Sequence, residues 1–183
     1  RLGAFFFEIM PLVGFFVGFH YYGLFIAAVI SVGLAAMVLG LAWWRARYVA
    51  PFPLFSLVLS AGFTAAAVLC DAAIFIKIQP TIFNGLFAAV LLGGLVINRA
   101  MMQVFFAKQF FLTGDTWYRL SARWGWFFLC LAVANELVWR HSSDADWVVY
   151  KTFVAAPASV LFMLAQLPIT LRGRLKSGET DHS

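Results

Sequence analysis

The sequence predicts an all-α fold: a polytopic membrane helical bundle of about five transmembrane helices plus a short N-terminal re-entrant or interfacial helix. Three observations predict it. Of 183 residues, 63% are apolar and only 11% charged, less than half the charge of an average soluble domain, about 25%. One soluble core of this size cannot hide so much apolar surface, so lipid must be the solvent for much of it. Apolar runs of spanning length recur along the chain, and Lys and Arg collect on alternate connections between them. The whole of 1–183 reads as a single transmembrane domain.

The first apolar segment, 5–19, carries Glu8, Pro11 and the pair Gly14 and Gly18. It falls short of the roughly 20 residues that cross a bilayer, which favours a re-entrant or interfacial helix; a sixth crossing is the rival reading. The Gly14–Gly18 spacing permits close helix contact. Glu8 and the lack of a small-residue cleavage site argue against a signal peptide. The chain starts at Arg1 rather than Met, so preceding residues are expected.

His20-Tyr21-Tyr22-Gly23 reads as an interfacial turn, followed by a first span at 24–43. Trp43-Trp44-Arg45-Ala46-Arg47 ends that span with an aromatic belt and two positive charges, the mark of a cytoplasmic boundary. Pro51 and Pro53 break the connection and can start the second span, 53–70. Within it Ser56, Ser60 and Thr64 form a polar stripe, of a kind that bonds back to its own helix or to a neighbour. Asp71 and Lys77 frame the next turn. Pro80 is expected to open the third span, 81–101, where Gly93-Gly94 reads as a close-packing spot.

Between 102 and 122, Lys108, Asp115 and Arg119 interrupt aromatic pairs. This predicts an amphipathic cytoplasmic segment on the membrane surface, with a turn at Thr113-Gly114-Asp115; a plain loop is the other reading. The fourth span is expected at 124–140 and a polar turn at 140–146. The fifth span, 147–171, contains Pro157 and Pro168, each of which frees a carbonyl and can kink a helix. The tail 177–183 is expected to be disordered.

Charge sets the orientation. Arg45, Arg47, Arg99, Lys108, Arg119, Arg123, Arg172, Arg174 and Lys176 fall on one side, and Lys77, Arg140 and Lys151 on the other. Positive residues are held back from translocation, so the C-terminus is expected in the cytoplasm of a multi-pass membrane protein. The net charge of +5 then serves orientation and contact with anionic lipid rather than nucleic acid, for which no basic, aromatic-lined platform exists. Cys70 and Cys130 match no metal or redox motif and read as buried thiols; a disulfide between them is the weaker alternative.

The residues that could carry chemistry are the ionisable groups in or beside the spans. Glu136 lies about one turn inside the fourth span, where a lone carboxylate must be protonated or paired. Its neighbour is Asn135. Asp71, Lys77 and Lys151 fall at the same face of the membrane. A polar cluster of Asp71, Lys77, Asn135, Glu136 and Lys151 is therefore expected near the outer leaflet, with Glu8 and His20 as further members. It could receive a lipid headgroup, a partner's polar group or a proton; equally, it could be ion pairs pinning helix ends, with lysines reaching to water. His20 and His141 stand at helix ends, which speaks against a haem or metal site. No HExxH, GxSxG, P-loop or GxGxxG motif is present, so neither a metal nor a catalytic residue is assigned, no cofactor is expected, and the protein reads as a non-enzyme.

Four local patterns occur in order: Phe7-Glu8-Ile9-Met10-Pro11-Leu12-Val13 with the pair Phe15-Phe16, then Phe75-Ile76-Lys77-Ile78-Gln79-Pro80-Thr81-Ile82, then Ala134-Asn135-Glu136, then Trp147-Val148-Val149-Tyr150-Lys151-Thr152-Phe153. Together they resemble the intracellular septation protein A family of bacterial inner-membrane proteins, over nearly the whole chain. The resemblance implies a role in cell division and envelope synthesis through contacts with other membrane proteins, with no enzymatic activity established for the family. It supplies no catalytic residue. Expected partners are membrane lipids and other inner-membrane division and envelope-synthesis proteins, with self-association left open and no nucleic acid. Two other classes of function remain beside this one: a small transporter or lipid-handling protein, and an accessory subunit of a larger membrane complex.

Overall fold

The computed structural model describes residues 2–49, 51–108 and 110–175, and the side chains of these apart from 2–8 and 52. The tail expected to be disordered, 177–183, lies outside the described residues. The elements are helices throughout: α1 Leu2–Tyr22, α2 Leu24–Ala46, α3 Pro51–Cys70, α4 Ile74–Val96, α5 Met101–Phe106, α6 Gly114–His141, α7 Asp144–Tyr150, a π turn Lys151–Ala155, α8 Ala156–Ala165 and α9 Leu167–Arg172. Among the described residues four stretches are long and apolar enough to cross a membrane: Leu24–Ala46, Pro53–Cys70, Ile74–Val96 and Asp144–Arg172. The protein is an all-α helical membrane protein.

Helix ends follow local chemistry. Gly23, at φ 89°, separates α1 from α2, a backbone region that a side chain would strain. Three other ends turn on non-glycine residues in the left-handed region: Arg47 at φ 52°, Asp71 at 49° and Asn98 at 57°. Each closes the helix by recovering orphan carbonyls. Arg47 N–H bonds Trp43 O at 2.7 Å, Ala72 N–H bonds Ala67 O at 3.0 Å, and Arg99 N–H bonds Gly94 O at 2.7 Å.

Several sequence expectations change at this level. The third membrane helix runs 74–96 rather than 81–101, and Pro80 sits inside it instead of opening it. The run Ile74–Ile78, apolar but for Lys77, is helical ahead of the proline because the chain has already turned at Asp71. The expected span 124–140 is the later part of α6, a helix of 28 residues that also carries Asp115, Arg119 and Arg123; it is not among the four apolar spans. The amphipathic segment 102–122 is not one element. It divides into α5, a short non-helical stretch at 110–113, and the first turns of α6. Thr113-Gly114-Asp115 is a helix start rather than a turn: Thr113 Oγ1 accepts from Thr116 N at 3.4 Å, as an N-cap does. The N-terminal helix extends beyond 5–19 on both sides, to 21 residues, with Ile9–Tyr22 as its described apolar part. Cys70 and Cys130 are free and exposed rather than buried. In a lipid-solvated helix an apolar neighbourhood in sequence does not distinguish the protein-facing side from the lipid-facing one.

Packing divides the chain into two compact units, Arg1–Gln79 with Glu136–Val154, and Pro80–Asn135 with Ala155–Ser183. In the first, α1 packs along α2. A Cβ on Gly18 would lie 3.1 Å from Ala27 Cα, and one on Gly14 would strike Leu34, so both glycines serve close helix approach. The core of this unit is Phe15, Leu24, Ala27, Ala28, Ala67, Ile76, Trp147 and Val148. Phe15 meets Trp147 edge-on at 6.0 Å between centroids, and Phe16 meets Phe153 at 5.2 Å. Ser60 of the polar stripe accepts from Gln79 Nε2 on α4.

In the second unit Phe127 stacks on Phe162 at 4.1 Å, with Trp124 edge-on to Phe162 at 4.8 Å. Gly125 admits Leu92 of α4, whose Cγ would lie 2.8 Å from a Cβ there. Gly93 has nothing within 4 Å, and Gly94 makes room for Arg99 O and Met101 of its own returning chain. The expected helix–helix spot at Gly93-Gly94 is thus a chain reversal. The end of α9 is tied down by Thr113 N–H to Gly173 O at 3.0 Å and Leu175 N–H to Phe111 O at 2.8 Å. Both prolines of the last membrane run interrupt it as expected: the π turn precedes Pro157, and the helix breaks at Gln166 before Pro168.

Candidate functional site

Six of the seven residues expected in the polar cluster belong to the first unit, and Asn135 to the second. Each is placed by its own helix end or turn. Asp71 is the exposed left-handed residue that closes α3. His20, in the last turn of α1, is exposed and meets Tyr21 edge-on at 5.2 Å. Glu8 lies on α1, among the residues whose side chains are outside the described ones.

Lys77, in the first turn of α4, forms an ion pair with Asp144 at the start of α7. The lysine is 17% exposed and the aspartate 45%, so this pair stands at the edge of the packed region. Asp144 was read from the sequence only as part of a polar turn. The available signal was Ser143, whose Oγ accepts from Asp146 N at 3.2 Å: a Ser followed by acidic residues marks a helix start and directs those carboxylates to one end of it.

Glu136 is paired twice within its own helix. Oε1 accepts from Trp139 Nε1 at 2.8 Å and Oε2 from Arg140 Nε at 2.7 Å. The i,i+4 spacing of Glu136 and Arg140 is the sequence signal for that pair. Arg140 also lies 4.7 Å from the Trp139 ring centroid, so carboxylate, indole and guanidinium form one local network. Asn135, on the second unit's side, donates from Nδ2 to Thr81 Oγ1 at 2.8 Å and is 2% exposed. It is thereby a buried polar bond between α6 and α4.

The Lys151 Nζ sits 4.0 Å from the Phe15 ring centroid and 5.4 Å from that of Trp147. Lys151 opens the π turn, an irregularity found often at functional positions. His141 Nδ1 lies 2.9 Å from Leu137 O of its own helix. Among the described residues no group of three His, Cys, Asp or Glu side chains converges as a metal site would require.

The arrangement can neutralise and orient charge at helix ends. A Glu136→Gln variant keeps the acceptor for Trp139 and loses the charge pair with the exposed Arg140. Its unfolding midpoint in detergent should therefore move by less than about 1 kcal/mol equivalent. A collapse of expression or folding would show that the carboxylate is more deeply committed than these contacts imply.

Comparison with known proteins places this architecture. Residues 4–176 match the family model described as intracellular septation protein A. The inner membrane-spanning protein YciB of Sinorhizobium medicae (strain WSM419) is 38% identical over 149 residues, covering 81% of this chain and 71% of that protein. The protein of the same name from Sinorhizobium fredii (strain NBRC 101917 / NGR234) is 39% identical over 149 residues, covering 81% of this chain and 71% of that protein. That of Mesorhizobium japonicum (strain LMG 29417 / CECT 9101 / MAFF 303099) is 38% identical over 165 residues, covering 90% and 72%. No solved structure matches the chain. With a match across nearly its full length and relatives at this identity, the chain belongs to the intracellular septation protein A family.

Proposed function

We propose that this protein supports septation and cell-envelope synthesis from the bacterial inner membrane, as a non-enzymatic multi-pass protein acting through contacts with other membrane proteins. The observation that carries the reading is the family match over residues 4–176, joined to relatives named inner membrane-spanning protein. The exposed apolar and aromatic side chains of the helices, such as Trp126, Val133 and Leu161, supply surface for lipid and for partner helices.

The charge distribution supports a cytoplasmic C-terminus. Arg45 lies in the last turn of α2 and Arg47 follows it, Arg99 follows α4, Arg119 and Arg123 lie in the first half of α6, and Arg172 ends α9 with Arg174 just after it. These are the ends that the positive-inside rule keeps in the cytoplasm. A C-terminal alkaline phosphatase fusion should be inactive and the matching green fluorescent fusion bright; the opposite pair of results overturns this layout. For the function, deletion should produce misplaced or delayed septa and altered envelope growth, and site-specific photocrosslinking should capture division or wall-synthesis proteins. Normal septation and envelope growth in the deletion strain would overturn it. Stable copurification at fixed stoichiometry would instead identify an accessory subunit.

A further inference from the structure

Lys151 stands just inside the hydrocarbon, where a lone cation must reach for water or find a partner. The run Asp144–Arg172 has 29 residues, about 43 Å at about 1.5 Å per residue, against a hydrocarbon core of about 30 Å. Lys151, seven residues past Asp144, lies about 10 Å in, a few Å below the hydrocarbon boundary when the run is centred. Among the described residues no carboxylate pairs with it. The Phe15 and Trp147 rings attract the charge but offer no oxygen to three N–H donors.

The next residue has a matching deficit. Thr152 Oγ1 is buried without a hydrogen-bond partner. Elsewhere in the same run hydroxyls bond the carbonyl one turn back, Ser159 to Ala155 O at 2.8 Å and Thr170 to Gln166 O at 2.9 Å. At Thr152 the π turn displaces that carbonyl pattern. Lys151 and Phe153 flank Thr152 and both touch α1, at Phe15 and Phe16. Val149, Phe153 and Val154, its neighbours along the run, are exposed, an apolar surface of the kind that lies against lipid.

We propose that the π turn binds the phosphate of an anionic phospholipid, with Lys151 Nζ and Thr152 Oγ1 donating to its oxygens and the Phe16–Phe153 pair forming a wall for an acyl chain. A compact ammonium and a hydroxyl are suited to phosphate oxygens. A position below the hydrocarbon boundary favours a lipid over a dissolved anion. This reading is independent of which division partner the protein meets.

The test uses the full chain purified in mild detergent and titrated with phosphatidylglycerol, with phosphatidylcholine, and with inorganic phosphate. Unfolding midpoint and lipid retained in native mass spectrometry are the readouts. Phosphatidylglycerol should raise the midpoint and be retained; phosphatidylcholine and inorganic phosphate should do neither. Lys151→Gln should weaken phosphatidylglycerol binding by at least about tenfold, Thr152→Val should weaken it measurably, and Lys151→Arg should keep most of it. Where Lys151→Gln fails to fold, Thr152→Val and Lys151→Arg carry the comparison. Equal stabilisation by phosphatidylcholine or inorganic phosphate would overturn the proposal, as would unchanged lipid retention in the Lys151 and Thr152 variants. Glu8 lies two helical turns before Phe15 on α1, and Glu8→Gln should leave retention unchanged. Loss of lipid retention in Glu8→Gln, matching that of Lys151→Gln, would overturn the proposal in favour of an internal ion pair.

Discussion

Replacing Gly18 with Leu should destabilise the protein by about 1–3 kcal/mol or more, through forced separation of α1 and α2. The cause is the identity of the obstacle. A Cβ at Gly18 would meet the Ala27 backbone at 3.1 Å and Ile30 Cδ1 at the same distance, whereas the Cβ of Gly14 would meet the movable end of Leu34. A side-chain tip can rotate away; a backbone can yield only if the helices part. In lipid there is little hydrophobic force between helices to compensate, so close contact at small residues contributes much of the attraction. Gly33, with nothing within 4 Å, is the control: Gly33→Ala should be neutral or stabilise by up to about 1 kcal/mol, through helix propensity alone. Thermal unfolding of both variants in one detergent decides it. Equal midpoints for Gly18→Leu and Gly33→Ala would remove the close-contact role assigned to Gly18.

Trp147→Ala should cost about 3–5 kcal/mol, the range for a fully buried large aromatic side chain. Trp147 is 0% exposed, and its neighbour in the core, Phe15, is 1% exposed. Their edge-on contact at 6.0 Å adds about 0.5–1.5 kcal/mol beyond burial. Loss of the indole also removes one of the two rings beside the Lys151 ammonium. A double-mutant cycle with Phe15→Ala should therefore show coupling, because the two rings and the cation share one packing site. Trp126, 60% exposed on α6, is the matched comparison, and Trp126→Ala should shift stability by no more than about 0.5 kcal/mol. Additive behaviour of Phe15→Ala and Trp147→Ala, or a larger loss at Trp126, would contradict this account of the core.

The expected cluster of ionisable residues shows how far spacing alone could reach. Glu136 and Arg140, four apart on one helix, carry the spacing of a pair, because helix geometry makes i,i+4 residues neighbours, but the expected cluster set Glu136 beside Asp71, Lys77 and Lys151 instead. Lys77 with Asp144 carries no such spacing, because the two are far apart in sequence and only the fold brings α4 and α7 together. Thr152 could not be recognised as an unpartnered hydroxyl either: a regular helix would have supplied its acceptor, and Pro157 marks an interruption nearby without saying which residue loses its partner. Pro157 and Pro168 did mark the two interruptions of the last run, since a residue without an N–H removes a bond from the ladder, although α4 continues through Pro80.

The sequence by itself determined the solvent of this protein, its helical class and most of its membrane-crossing stretches, because hydrocarbon demands long apolar runs whose backbone groups are satisfied internally. It also carried the family. Only the tertiary structure decided which side of each helix faces protein, and with it the exposed cysteines, the glycines that meet a neighbouring backbone and the partners of Lys77, Asn135 and Lys151. The physical reason is that lipid and a packed helix are both apolar, so hydropathy cannot separate them. Shape and hydrogen bonding distinguish the two surfaces, and both depend on which helices come together.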